Sequence, residues 1–174
     1  MKVVNVHQRL LPASPERVGK FIDLIASRGD TPGPHVWPPM KLDRPLGIGA
    51  KGGHGSIRYF VEAYTPGQVV RFRFTSPKGF IGWHALQVLE ATPGHCMLEH
   101  RIEMRLEGFA RLSWPLMYRP LHDAVTEDGL SRAQAALGLE PRVVPWSPWV
   151  RFLRWARGLD TMRAQPAPSG TMPS

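Results

Sequence analysis

Cys96-Met97-Leu98-Glu99-His100-Arg101-Ile102-Glu103-Met104-Arg105-Leu106-Glu107 alternates apolar and charged side chains until Gly108 ends the run. Leu98, Ile102, Met104 and Leu106 share one face, while Glu99, Arg101, Glu103, Arg105 and Glu107 share the other. A period of two is that of a strand with one buried and one wet face. Beyond Gly108 the period becomes helical. Trp114, Tyr118, Leu121, His122, Val125, Gly129, Ala133 and Ala136 fall on one stripe, with Asp123, Glu127 and Gln134 away from it. Pro115 and Pro120 should delay or kink this helix, and Gly138 should close it. A sheet with one apolar face needs a cover, and the helix is available to supply it. Gly129, Ala133 and Ala136 let its second half lie close to the sheet. The bulkier first half must stand further off, so a cavity between sheet and helix is expected.

Upstream, Ser56–Tyr64, Gln68–Thr75 and Phe80–Ala91 read as further strands. Pro66-Gly67, Pro77-Lys78-Gly79 and Pro93-Gly94 separate them, and connections this short join only antiparallel neighbours. Lys2 to Leu11 is an opening strand with Val4, Val6 and Leu10 on one face. Ser14-Pro15-Glu16 begins a helix with a hydroxyl cap, an early proline and an acid near the positive end of the dipole. Val18, Phe21, Ile22 and Ile25 form its apolar face, and Arg28-Gly29 is its expected end. Residues 30–46 hold five prolines and read as a loop anchored by Trp37. The order is strand, helix, at least four meandering strands and a long helix, which is an α+β layout.

This layout resembles the START-like superfamily, also called the polyketide cyclase/dehydratase and lipid-transfer (SRPBCC) superfamily. The resemblance spans about residues 2–138. It rests on the element order, on Tyr64-Thr65-Pro66-Gly67-Gln68-Val69-Val70-Arg71-Phe72, and on Arg119-Pro120-Leu121-His122-Asp123. Gly52-Gly53-His54-Gly55 before a strand is similar to an uncharacterised bacterial subgroup. The resemblance implies a helix-grip fold, a curved antiparallel sheet wrapped around a long C-terminal helix. It does not imply one activity, because the superfamily includes cyclases, dehydratases, lipid carriers, hormone sensors and chaperone co-factors. The family usually has a short second helix after the first, where this chain has its prolines.

The polar residues of interest sit among apolar ones. His84 alternates with Phe80, Leu86 and Val88, and His100 with Leu98, Ile102 and Met104. If those faces point inward, two imidazoles enter the cavity from adjacent strands, where they suit hydrogen bonding or acid–base work. A register slip of one residue would turn either outward. His122 lies on the helix stripe. The candidate ligand-binding set is His84, His100, His122, Tyr59, Phe80, Leu86, Leu98, Ile102, Trp114 and Tyr118, with Trp83 as a further aromatic. A zinc site made by His84, His100 and His122 lacks any supporting spacing such as HExxH, so neither metal nor cofactor is expected. Gly47-Ile48-Gly49-Ala50-Lys51-Gly52 matches GxGxxG, but a β-like run follows it rather than a helix. A strand edge near the cavity mouth is the better reading.

Residues 1–138 therefore read as the ligand-binding domain, 139–146 as a linker, 147–163 as a basic amphipathic helical segment and 164–174 as a disordered tail. In the helical segment Trp149, Phe152, Leu153 and Ala156 form a stripe flanked by Arg151, Arg154 and Arg157. That pattern suits packing on its own domain or a twin subunit, or peripheral membrane contact through Trp149, Phe152, Leu153 and Trp155. The formal charge of +8 comes from scattered arginines without a nucleic-acid motif, so nucleic acid is not an expected partner. One cysteine, no long apolar run and no signal-like N-terminus suit a cytoplasmic setting. The expected function is binding or carriage of a small apolar or amphipathic metabolite of lipid, polyketide or isoprenoid type. The alternatives are a cyclase/dehydratase-like enzyme using the cavity histidines and a protein- or membrane-docking module.

Overall fold

A computed structural model of the chain describes residues 1–30, 33 and 36–159. Pro32, Pro34, positions 160–163 of the expected helical segment and the expected tail lie outside them. The elements are β1 (Lys2–Leu11), α1 (Pro15–Asp23), β2 (Lys41–Leu42), β3 (Lys51–His54), β4 (Ile57–Thr65), β5 (Val69–Ser76), β6 (Phe80–Thr92) and β7 (His95–Leu106). After them α2 (Ala110–Ser113) runs through a π-helical turn (Trp114–Tyr118) into α3 (Arg119–Ala136), and α4 (Pro148–Ala156) follows. The seven strands form one antiparallel sheet in the order β1-β7-β6-β5-β4-β3-β2. Register shifts at Arg58/Tyr59 and Val61/Ala63 help curve it. The layout is the expected helix-grip arrangement. No helix among the described residues is long and apolar enough to cross a membrane.

The helical cover closes at both ends. At one, Leu130, Ala133 and Leu137 of the α3 end pack with Val18 and Phe21 of α1 and with Cys96 and Leu98 of β7. At the other, Ala110 and Trp114 pack on Phe80, Met104 and Leu106. Side chains between these two clusters are held apart. α1 is seated by Gly19, where an added Cβ would lie 2.2 Å from the carbonyl oxygen of Gly67. Gly67 itself turns the β4–β5 hairpin at a φ of 68°.

Several expectations need correction. α1 ends at Asp23 rather than Arg28-Gly29. The Asp30 carboxylate accepts hydrogen bonds from the amides of Ala26 and Gly33, and this turn replaces further helix. The described residues between Leu24 and Met40 contain no second helix. Val4, Val6 and Leu10 are exposed, and β1 instead turns Asn5, His7 and Arg9 inward. Those polar groups are accommodated because Asp123 and Glu127 face them rather than open solvent. Ala136 is exposed, and Leu130 and Leu137 take the burial assigned to it. Trp83 lies on the outer face under the Arg71 guanidinium, whose carbon is 5.5 Å from the ring centroid. After Gly47–Ala50 the chain enters β3, so no helix N-terminus meets the glycines as a dinucleotide site needs.

Segment 147–159 folds back on the domain. Ser147 caps α4 as its sequence suggests, accepting from the Val150 amide. Val150 and Leu153 pack with Trp37 and Leu121, so Leu153 is not available to an external surface. Arg154 is buried between Trp37 and Trp146, its guanidinium carbon 4.4 and 4.2 Å from the two ring centroids. Both indoles donate to the Asp128 carboxylate.

Candidate ligand-binding cavity

Between the two packed ends lies a cavity of about 680 Å³. Its sheet side is Phe72, Phe74, Phe80, His84, Leu86, Leu98, His100 and Ile102. Its helix side is Trp114, Tyr118, Leu121, His122 and Val125. The register decides this. Leu86 stands opposite His100 and His84 opposite Ile102, so the two histidines are diagonal neighbours on the concave face. Nine of the ten candidate residues line the cavity. Tyr59 does not: it is buried behind His84 and Phe72 and shares a hydrogen bond of 3.0 Å with His54 Nδ1. His54, Gly55 and Ser56 line the cavity, whereas Gly47–Gly52 stay outside it.

Five imidazoles form a line across the molecule. Ring centroids lie 5.8 Å apart for His7 and His122, 4.9 Å for His122 and His100, and 5.5 Å for His100 and His84. Tyr59 lies 4.9 Å from His84 and 5.8 Å from His54. The ends of this line differ in charge. His7 places Nε2 3.1 Å from Asp123 Oδ1 and Nδ1 2.7 Å from Glu127 Oε1. The Asp123 hydrogen bond, aided by Glu127, outweighs burial and raises the His7 pKa, which favours imidazolium. Burial pushes the Asp123 carboxyl up, but hydrogen bonds with His122, His7 and Asn5 together hold it well below its usual range.

Burial favours the neutral form of the inner histidines. Burial drives His84 and His100 well below 6.5, and the neighbouring imidazoles add to the shift. Burial also lowers His54, to about 4, and His122, where Asp123 opposes it. His84 is stacked with Phe72 and Phe74 and only 5% exposed, yet its Nε2 has no hydrogen-bond partner. His100 Nδ1 is likewise buried without a partner. Unpaired buried polar atoms are uncommon and each costs free energy.

His84, His100 and His122 do not converge as metal ligands. Among the described residues, the group close enough to share an ion is His7, His122 and Asp123, whose ligand atoms lie within 4.8 Å of one another. These atoms already hydrogen-bond to each other, and Arg9 balances the charge of Glu127. His7 is the residue that sequence reasoning missed. The available signal was the match between alternate polar residues Asn5, His7 and Arg9 and the i,i+4 acids Asp123 and Glu127.

No family model matches the chain, and no curated protein matches its sequence. Solved structures do share its fold. Norcoclaurine synthase from Thalictrum flavum, solved with dopamine and hydroxybenzaldehyde, is 12% identical with a TM-score of 0.60 and covers 82% of this chain and 90% of its own. CalU16 from Micromonospora echinospora is 12% identical with a TM-score of 0.56, covering 89% and 83%. XoxI from Bacillus cereus is 18% identical with a TM-score of 0.54, covering 76% and 94%. Together with the gripped helix and the seven-stranded curved sheet, these likenesses show that the chain has the helix-grip fold.

Proposed function

We propose that the chain binds a small molecule with an apolar body and at least one polar oxygen, enclosed between the sheet and α3. The observation that carries this is the pair of buried, unpartnered imidazole nitrogens at His84 and His100, in a cavity otherwise walled largely by aromatic and aliphatic side chains. Apolar walls favour the body of such a ligand through area removed from water. A hydroxyl can donate to a neutral imidazole nitrogen, and a carbonyl can accept from the ring N–H. Lipid, polyketide and isoprenoid metabolites all have this chemistry. The norcoclaurine synthase structure with two small aromatic compounds is compatible with the fold enclosing such molecules.

The test uses the probes 2-naphthol and naphthalene with histidine-labelled protein. Binding of 2-naphthol should shift the ring nitrogen resonances of His84 and His100, and its affinity should exceed that of naphthalene. That advantage should vanish in His84→Phe combined with His100→Phe. Equal affinity for both probes in the parent protein would reduce the cavity to an apolar container.

A second reading is cyclase- or dehydratase-like acid–base catalysis. The passage from His7, favouring imidazolium, to neutral His100 and His84 supports it, because acid and base roles require neighbouring groups in different protonation states. Under that reading, turnover of a bound enolisable carbonyl compound falls far more than its binding when His100 is replaced.

A further inference from the structure

The helices around the π turn and α4 leave a large apolar surface uncovered. Leu112 and Leu116 are each 60% exposed, and Trp149, Phe152 and Trp155 are 47%, 48% and 68% exposed. The three α4 rings are contiguous and meet the π turn at Leu116, with Leu112 four residues before it. The Trp149 ring lies 5.3 Å from that of Phe152, and Phe152 lies 6.0 Å from Trp155. The Trp149 indole N–H reaches across to the Leu116 carbonyl at 2.8 Å. That carbonyl is four residues before Pro120, which has no N–H to offer it.

The charges within the two segments that carry this surface have one sign. Residues 108–122 contain Arg111 and Arg119 and no Asp or Glu. Residues 141–159 contain Arg142, Arg151, Arg154 and Arg157 and no Asp or Glu. Arg154 is buried, whereas Arg111, Arg151 and Arg157 are exposed. Asp123, where acids resume, is turned toward β1 and also pairs with Arg119 at 3.5 Å.

We propose that this face docks on an anionic lipid membrane. Leu112, Leu116, Trp149, Phe152 and Trp155 seat at the boundary of headgroups and acyl chains, and the exposed arginines meet lipid phosphates. Indole and phenyl rings with bordering cations are the composition that such a boundary favours. A second copy fits less well, since a two-fold contact through this patch sets arginines against arginines with no acid in either segment to answer them. An isolated helix as short as α4 binds membranes weakly because ordering it is costly. Here the Trp149–Leu116 bond and the Arg154 clamp order it in advance. The same stretches of chain also reach the cavity, since Tyr118, Arg157 and Leu159 line it. Docking itself does not rest on the cavity being a ligand site.

The full chain is mixed with vesicles of phosphatidylcholine alone or with 30% phosphatidylglycerol (a composition of about three anionic lipids in ten), and bound protein is measured by co-sedimentation. Binding is expected to the mixed vesicles and to weaken at high salt. Phe152→Ser with Trp155→Ser should lower the partition coefficient at least tenfold, a drop of about that size following from the lost apolar area. Arg151→Gln should lower it roughly fivefold. Leu112→Ser, outside α4, is the second variant if the α4 double variant loses its circular-dichroism spectrum. Absence of binding to the mixed vesicles overturns the proposal, as does binding that neither variant weakens. A concentration-dependent dimer that the double variant abolishes, with no vesicle binding, also overturns it and assigns the patch to self-association.

Discussion

Replacing His84 with phenylalanine should stabilise the ligand-free protein while weakening its hold on an oxygen-bearing ligand. The His84 ring is stacked 4.9 Å from Phe72 at 19° and 5.1 Å from Phe74 at 23°, with Tyr59 edge-on at 4.9 Å. A phenyl ring keeps these contacts. It removes a buried nitrogen without a partner, whose burden is about 1–3 kcal/mol. Allowing for tighter packing, the net gain is about 1–2 kcal/mol, or about 2–8 °C in Tm for a chain of this length. The gain should also depend on pH. In the unfolded chain His84 takes up a proton near 6.5, whereas burial keeps the folded form neutral well below that value. Stability conferred by neutral His84 is therefore present above 6.5 and falls as pH drops, by about 1.4 kcal/mol per unit. At a pH about 1.5 units below 6.5, the variant should lead by about 2 kcal/mol more than at neutrality. Urea unfolding followed by circular dichroism at the two pH values measures both effects. Destabilisation at neutral pH, or a gain that ignores pH, would refute the claim that His84 is a neutral, unpaired imidazole in the folded protein.

Leu98→Arg or Ile102→Arg places a charge inside the cavity and should abolish binding of the neutral dye Nile red; unchanged dye affinity with a native circular-dichroism spectrum would contradict an apolar cavity there. Asp123→Asn should lower the His7 pKa, read by NMR titration, because the Asp123 hydrogen bond is the largest cause of its elevation. The stabilisation carried by protonated His7 is fully present below 6.5 and is lost as pH rises through its raised folded value, and the variant should show a smaller loss. Gly19→Ala should cost about 1–3 kcal/mol in urea unfolding, because its Cβ would sit 2.2 Å from the Gly67 carbonyl oxygen; a neutral or stabilising result would mean that α1 can lift off the hairpin freely.

The parts of the molecule that the sequence reveals are those where one physical rule acts alone. β7 alternates cleanly because one face meets the helix and the other meets water, and short Pro-Gly turns leave the meander no other topology. His84 and His100 follow from that alternation once the register puts Leu86 opposite His100. β1 misleads for the opposite reason. Its exposed face carries Val4, Val6 and Leu10, and its inner face carries Asn5, His7 and Arg9. Inward polarity is stable there only because Asp123 and Glu127 answer it from α3, a contact separated by more than a hundred residues. The end of α1 was illegible because the Asp30 side chain, not a glycine, satisfies the turn. Arg154 read as a flanking charge because alternation cannot foresee two indoles stacked around a guanidinium.

The π turn at Trp114–Tyr118 sets the rotational phase of everything after it. Each residue of an ordinary α-helix advances its side chain by about 100°, so the 23 steps from Ala110 to Ala133 would leave these two buried residues about 140° apart. The Arg119 amide instead bonds the Trp114 carbonyl, five residues back, and the wider loop takes up about one residue of rotation. The mismatch falls to about 40°, and α2 and α3 present one continuous inner side. Forcing this turn into regular α-helix without removing a residue would turn the downstream helix by about 100°, like a slipped screw thread. His122 would leave the cavity wall, Asp123 would swing off His7, and Leu130 and Ala133 would lose the small cluster that shuts the far end, all without altering any of those residues.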